Sequence, residues 1–93
     1  MGLNIKKYLE SISDEELKEI LRKEYLRRLT RYKLIDELFR KKYGLTFEEF
    51  EKNDTVAKEN YSWEVESDAQ EWEAAVDGIN TVLEKLRELS SES

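Results

Sequence analysis

The sequence has no cysteine, histidine or proline, only three glycines and a single methionine in 93 residues. Without cysteine there are no disulfides and no thiol chemistry. Without histidine the chain lacks the side chain whose ordinary pKa lies nearest neutrality and the commonest metal-binding imidazole. Ser and Thr are present, but no base is placed to activate them, so no catalytic residue, cofactor or metal is assigned and the expectation is a protein that is not an enzyme. No apolar run approaches the roughly 20 residues of a membrane-spanning helix. The opening MGLNIKKYLE has no apolar signal core, and Lys6 stands where a myristoylation signal wants Ser or Thr. A cytoplasmic protein with no membrane association is expected.

What the chain does have is charge and aromatics: 41% charged residues, 39% hydrophobic residues, five Tyr, three Phe and two Trp. That is too apolar for a disordered chain. The length suits one small helical domain, residues 1–89, with a frayed tail at 90–93. So short a domain buries a small fraction of its surface and gains from burial against a second chain. Charge is segregated along the sequence, with balances of −2 over residues 1–17, +6 over 18–43 and −10 over 44–93. The basic and acidic segments can pair within the molecule, between copies, or with outside partners of opposite sign.

Helical spacing dominates. Ser13 before Asp14, Glu15 and Glu16 is a helix start, with the Ser13 hydroxyl set to accept from the Glu16 amide. Leu17, Ile20, Leu21, Tyr25, Leu29, Tyr32, Ile35, Leu38, Phe39 and Tyr43 then recur at three- and four-residue spacing, predicting a helix over 14–43 with one broad apolar face. Gly44 suits the left-handed position that ends it. Directly after comes LTFEEF, a second helix start over 47–52, with Thr46 and Glu49 as a capping box and Leu45 and Phe50 as a hydrophobic staple. Residues 54–66 are ambiguous between helix, strand and loop; helix is favoured because a lone strand has nothing to pair with. Trp72, Val76, Ile79, Leu83 and Leu86 then form the seam of a second long helix. Its start falls at Ser67 with Gln70, or earlier at Ser62 or Asp54. Gly78 with Ala74 gives this helix a small-residue patch where another helix could come close, the alternative being that the glycine is simply tolerated there.

These elements predict an all-α fold: an antiparallel hairpin of two long helices joined by a short connecting helix. A short N-terminal helix carrying Leu3, Ile5, Tyr8, Leu9 and Ile12 packs on it, and the whole forms an oligomeric helix bundle. Leu26 and Leu34 fall outside the main stripe, and Glu24 and Arg28 fall within it. These four are assigned to an oligomer interface, the charged pair serving as an internal or intersubunit ion pair that fixes register.

Function is read from YSWEVESDAQEWE, residues 61–73, where large apolar side chains stand among five carboxylates. Tyr and Trp are the residue types that anchor interfaces, and surrounding acids complement a basic partner. Tyr61, Trp63, Glu64, Glu66, Asp68 and Trp72 are therefore the candidate contact residues, against the alternative that the aromatics are core and the acids plain surface. Two acidic rows, Glu64, Asp68 and Glu71, and Glu66, Glu73 and Asp77, could in principle ligate a cation, but a solvated face is the better reading. Arg22, Lys23, Arg27, Arg28, Arg31 and Lys33 with Tyr25 and Tyr32 could contact nucleic acid. Their spread around the whole helix and a sequence pI near 4.8 argue against it.

The segment KKYGLTFEEFEK followed by YSWEVESDAQEWEAAVDGI resembles small helical antitoxin-type proteins encoded beside prokaryotic toxins, in which a KYG-(M/L)-(S/T)-x-EEF turn is frequent. The resemblance covers roughly residues 33–86. It implies binding to a toxin, often a small ribonuclease with a basic substrate surface, through the acidic C-terminal half. The chain departs from familiar antitoxins in having no ribbon-helix-helix or helix-turn-helix segment, so operon autoregulation is not implied. A homo-oligomeric structural or adaptor protein is the alternative reading.

Overall fold

The structure is a computed structural model and describes Lys7 and residues 10–91. The N-terminal helix expected on Leu3, Ile5, Tyr8 and Leu9 lies outside the described residues. Four helices follow in chain order: α1 Asp14–Tyr43, α2 Phe47–Lys52, α3 Thr55–Lys58 and α4 Trp63–Ser91, with no strand among the described residues. Ser13 Oγ accepts from the Glu16 amide at 3.1 Å, satisfying one of the orphan donors at the start of α1. At its end Gly44 takes φ 69° and donates its amide to the Arg40 carbonyl at 2.8 Å.

The corner between α1 and α2 is built from short-range contacts. Thr46 Oγ1 accepts from the Glu49 amide at 3.1 Å, while Glu49 Oε1 accepts from the Thr46 amide at 2.9 Å. Both halves of the capping box are thus made. These bonds hold the Glu49 carboxyl below its ordinary pKa. Leu45 packs against the cluster containing Phe50, as a staple should. The chain therefore reverses at a fixed angle and brings α4 back along α1.

Packing is strongest at this closed end. Trp72 is 0% exposed and Phe50 is 2% exposed; with Val65 they form the centre of the core. Phe39, Tyr43, Leu45, Phe47, Val56, Ala69 and Val76 close around them. Four rings stand within 6 Å of the indole, centroid to centroid: Phe50 at 5.0 Å, Phe47 at 5.4 Å, Phe39 at 5.5 Å and Tyr43 at 5.9 Å. The indole N–H donates to Asp36 Oδ1 at 2.8 Å, so the one polar atom of the buried ring is satisfied. Farther along the hairpin Ala75 and Val82 are buried and the Tyr32 ring lies over Gly78. The small-residue patch expected at Gly78 does admit a neighbour, and that neighbour is α1 of the same chain.

The molecule measures 55 × 36 × 16 Å with a radius of gyration of 18.5 Å, against about 12 Å for a compact domain of this length. A shortest extent of 16 Å is little more than one helix with its side chains, about 10–12 Å. The helices thus form a single layer. The expected broad face of α1 is consequently only half covered: Leu21, Tyr25, Tyr32 and Phe39 are half-buried, whereas Leu17, Ile20 and Leu38 stay exposed. One neighbouring helix shields a narrower arc than the periodicity spans. At the other terminus, α4 continues through Ser91, past the boundary at 89, with Ser91 Oγ donating to the Glu88 carbonyl at 3.0 Å.

Candidate functional site

The stretch between α3 and α4 is neither strand nor continuous helix but a tight turn held by backbone bonds. The Tyr61 amide donates to the Val56 carbonyl at 2.9 Å and the Asn60 amide to the Ala57 carbonyl at 3.0 Å. Closing it puts Asn60 at φ 59° and Tyr61 at φ 52°, both left-handed. Asn tolerates that region, whereas for Tyr it costs about 1–2 kcal/mol. Ser62, rather than Ser67, then caps α4: its Oγ accepts from the Val65 amide at 3.3 Å. Ser67 and Gln70 match the capping-box pattern better, but both lie inside the helix. The upstream turn satisfies the first orphan amides before Ser67 is reached.

This geometry divides the six candidate contact residues. Tyr61 and Trp63 are the most exposed large apolar side chains of the described residues, at 63% and 78%. Glu66, three residues after Trp63 and therefore beside it on the helix, is exposed, and its carboxylate has no partner among the described residues. Glu59, which the sequence reading passed over, is exposed on the same turn. Trp72, by contrast, is the centre of the core; contact through its side chain would require the core to open. Asp68 and Glu64 face α1. Lys42 Nζ lies 3.0 Å from Glu64 Oε1 and 2.5 Å from Asp68 Oδ2, and the Tyr43 hydroxyl donates to Asp68 Oδ2 at 2.6 Å. Glu64 and Asp68, four apart, present one pair of oxygens, but their partners lie 22 and 26 residues back in the chain, where no local spacing could reveal them.

Lys42, Tyr43 and Asp68 latch the two long helices beside the core. Burial acts to raise the Asp68 carboxyl, but the hydrogen bonds from Lys42 and Tyr43 outweigh it and hold its pKa below the ordinary value. The Lys42 ammonium is raised, first by its hydrogen bond to Asp68 and then by that to Glu64. The Tyr43 phenol is pushed up to about 12, by burial and then by Asp68. A depressed Asp68 stabilises the fold above its unfolded pKa and loses that contribution as pH falls through its folded value. A raised Tyr43 and Lys42 act in the opposite sense, their contribution fading as pH rises through their folded values. Asp68→Asn should therefore lower the melting temperature near neutral pH, and the difference from wild type should shrink as pH falls through the depressed folded pKa of Asp68. Thermal melts of the two proteins across pH check this; a constant difference at all pH values would show that the latch is not charge-dependent.

The residues assigned to an oligomer interface are not brought together. Glu24 accepts from Arg27 at 3.1 Å and from Arg28 at 3.3 Å within α1, all three on the surface. This is a solvated intrahelical pairing, not an internal ion pair, because α4 covers a different arc of α1. Leu26 and Leu34 are both exposed, but they point about 80° apart at 100° per residue. The two acidic rows do not converge: among the described residues no group of three or more acidic side chains could hold a metal ion. No helix of the described residues is long and apolar enough to cross a membrane. No protein-family model, curated protein or solved structure matches the chain. The antitoxin-type resemblance accordingly stands on the quoted motifs alone.

Proposed function

We propose that the protein is a non-enzymatic binding module that docks a basic protein partner on the turn before α4 and on the first turns of that helix. The cytoplasmic neutralisation of a toxin fits that description. The observation that carries the reading is Trp63, 78% exposed, beside a Tyr61 held in a strained left-handed conformation without burial in return. Surface indoles are costly to leave in water, and strain of this kind persists where a surface is shaped for something else. Glu59 and Glu66 flank the rings, so a lysine or arginine can lie on the Trp63 face and reach a carboxylate at once. The toxin-neutralising form of the reading takes its support from the KYGLTFEEF turn and from the −10 balance of residues 44–93.

The test is coexpression of the tagged protein with the product of the adjacent gene, followed by size exclusion with mass detection. A Tyr61→Gly, Trp63→Ala double variant separates contact from fold, since Gly relieves the left-handed strain and neither side chain is buried. The variant should melt at or above the wild-type temperature yet lose the partner. Absence of any heterocomplex, or a complex of unchanged affinity in the variant, would overturn the proposal.

A further inference from the structure

We propose that α1 is the seam of a homodimer, in which two copies lay the outer faces of their α1 helices together antiparallel, the two-fold axis passing between Arg27 and Arg28. This rests on different observations from the partner-binding turn and stands or falls separately. Leu17, Ile20, Glu24, Arg27, Arg31, Leu34 and Leu38 follow one another at alternating three- and four-residue steps. That is the seam spacing of paired helices. At 100° per residue the row is centred about 120° from the arc that faces α4, so a second helix fits beside the hairpin without displacing α4. The single-layer fold leaves this row bare: Leu17, Ile20, Leu34 and Leu38 are all exposed, Leu34 by 58%.

The order of residues along the row selects the occupant. Apolar positions stand at both ends and charged ones in the middle, arranged almost as a palindrome. Antiparallel pairing about the stated axis sets Leu17 level with Leu38 of the second copy, Ile20 with Leu34, and Glu24 with Arg31. Every apolar end meets an apolar end, and two symmetry-related Glu24–Arg31 pairs close the centre, as an isologous interface requires. Parallel pairing would set Glu24, Arg27 and Arg31 each against its own kind, three like-charge levels in succession. Arg31 has no ion-pair partner within the chain among the described residues, so an acid from outside completes it. Arg27 and Arg28, nearest the axis, carry their own counter-ion in Glu24, at 3.1 and 3.3 Å.

The chain's lack of cysteine makes the register directly readable. Mass measurement by sedimentation over a concentration series should show a dimer of the isolated protein. Arg31→Glu, on the exposed face of α1, should keep the helical signal and weaken the dimer about tenfold or more, because symmetry applies the change twice. Adding Glu24→Arg should restore it. On mild oxidation Arg27→Cys, the row position nearest the axis, should crosslink to itself. Leu17→Cys and Leu38→Cys should crosslink only when mixed, since two copies of either site lie about 30 Å apart in the antiparallel register. Monomeric mass at every concentration, a dimer indifferent to Arg31→Glu, or self-crosslinking of Leu17→Cys overturns the proposal.

Discussion

Trp72→Ala is expected to remove most of the stability of the fold and bring it to the edge of unfolding. Removing a buried Trp costs about 3–5 kcal/mol, and a domain of this size has a total stability on the order of 5–14 kcal/mol. The lower part of that range applies because few side chains are fully buried: among the described residues Trp72 and Phe50 are the large ones, at 0% and 2% exposure. The indole also links four aromatic rings drawn from α1 and α2, so its loss opens the corner as well as the helix pair. Trp72→Phe removes the hydrogen bond with a smaller loss of volume. It keeps a ring in the site but removes the donor to Asp36, whose other oxygen lies 3.8 Å from Arg40 and whose side chain is partly solvated. A cost of about 1–2 kcal/mol is expected there. Urea unfolding followed by far-ultraviolet circular dichroism measures both; a Trp72→Ala protein as stable as wild type would mean that the core lies elsewhere.

Gly78→Ala should destabilise the protein even though Ala is the better helix former by about 1 kcal/mol. An added Cβ at residue 78 would stand 2.6 Å from Tyr32 Cε2, 2.7 Å from Cδ2 and 2.8 Å from Cζ. A ring cannot bend away atom by atom, so either Tyr32 swings out of its place or the helices move apart. Overpacking of this kind costs about 1–3 kcal/mol, which exceeds the propensity gain. The second-site variant Tyr32→Ala makes the argument sharper. In that background the obstacle is gone, and Gly78→Ala should then stabilise by about the helix-propensity difference. Denaturant midpoints of the four proteins in this cycle give the answer, and a stabilising Gly78→Ala in the wild-type background would show that the close contact does not exist in solution.

The helix boundaries were legible where the signal is local. Ser13, Gly44 and the Thr46–Glu49 box act over three or four residues, and α1 and α2 begin and end where those residues place them. The start of α4 was harder because Ser62 and Ser67 both precede plausible helical stretches. The choice between them depends on the left-handed turn at Asn60 and Tyr61; Asn60 suits that region, but no residue type announces a left-handed Tyr61. The candidate site was half legible for a related reason. Trp63 and Trp72 are chemically alike and stand in the same acidic run. What separates them is Phe39, Tyr43, Phe47 and Phe50 closing over one and not the other, contacts made across more than twenty residues of chain. The breadth of the α1 stripe likewise could not tell how much of it one neighbouring helix covers.

Single-tryptophan fluorescence tests the central claim, that the acidic-aromatic stretch is divided between a core residue and a contact residue. In Trp72→Phe the emission reports Trp63, and in Trp63→Phe it reports Trp72. Free in solution, Trp63 should emit as a water-exposed indole and be quenched readily by acrylamide, while Trp72 emits to the blue and resists quenching. On complex formation with the adjacent gene product, Trp63 should shift to the blue and become protected, with Trp72 unchanged. A Trp63 signal equally quenched with and without bound partner would contradict the account.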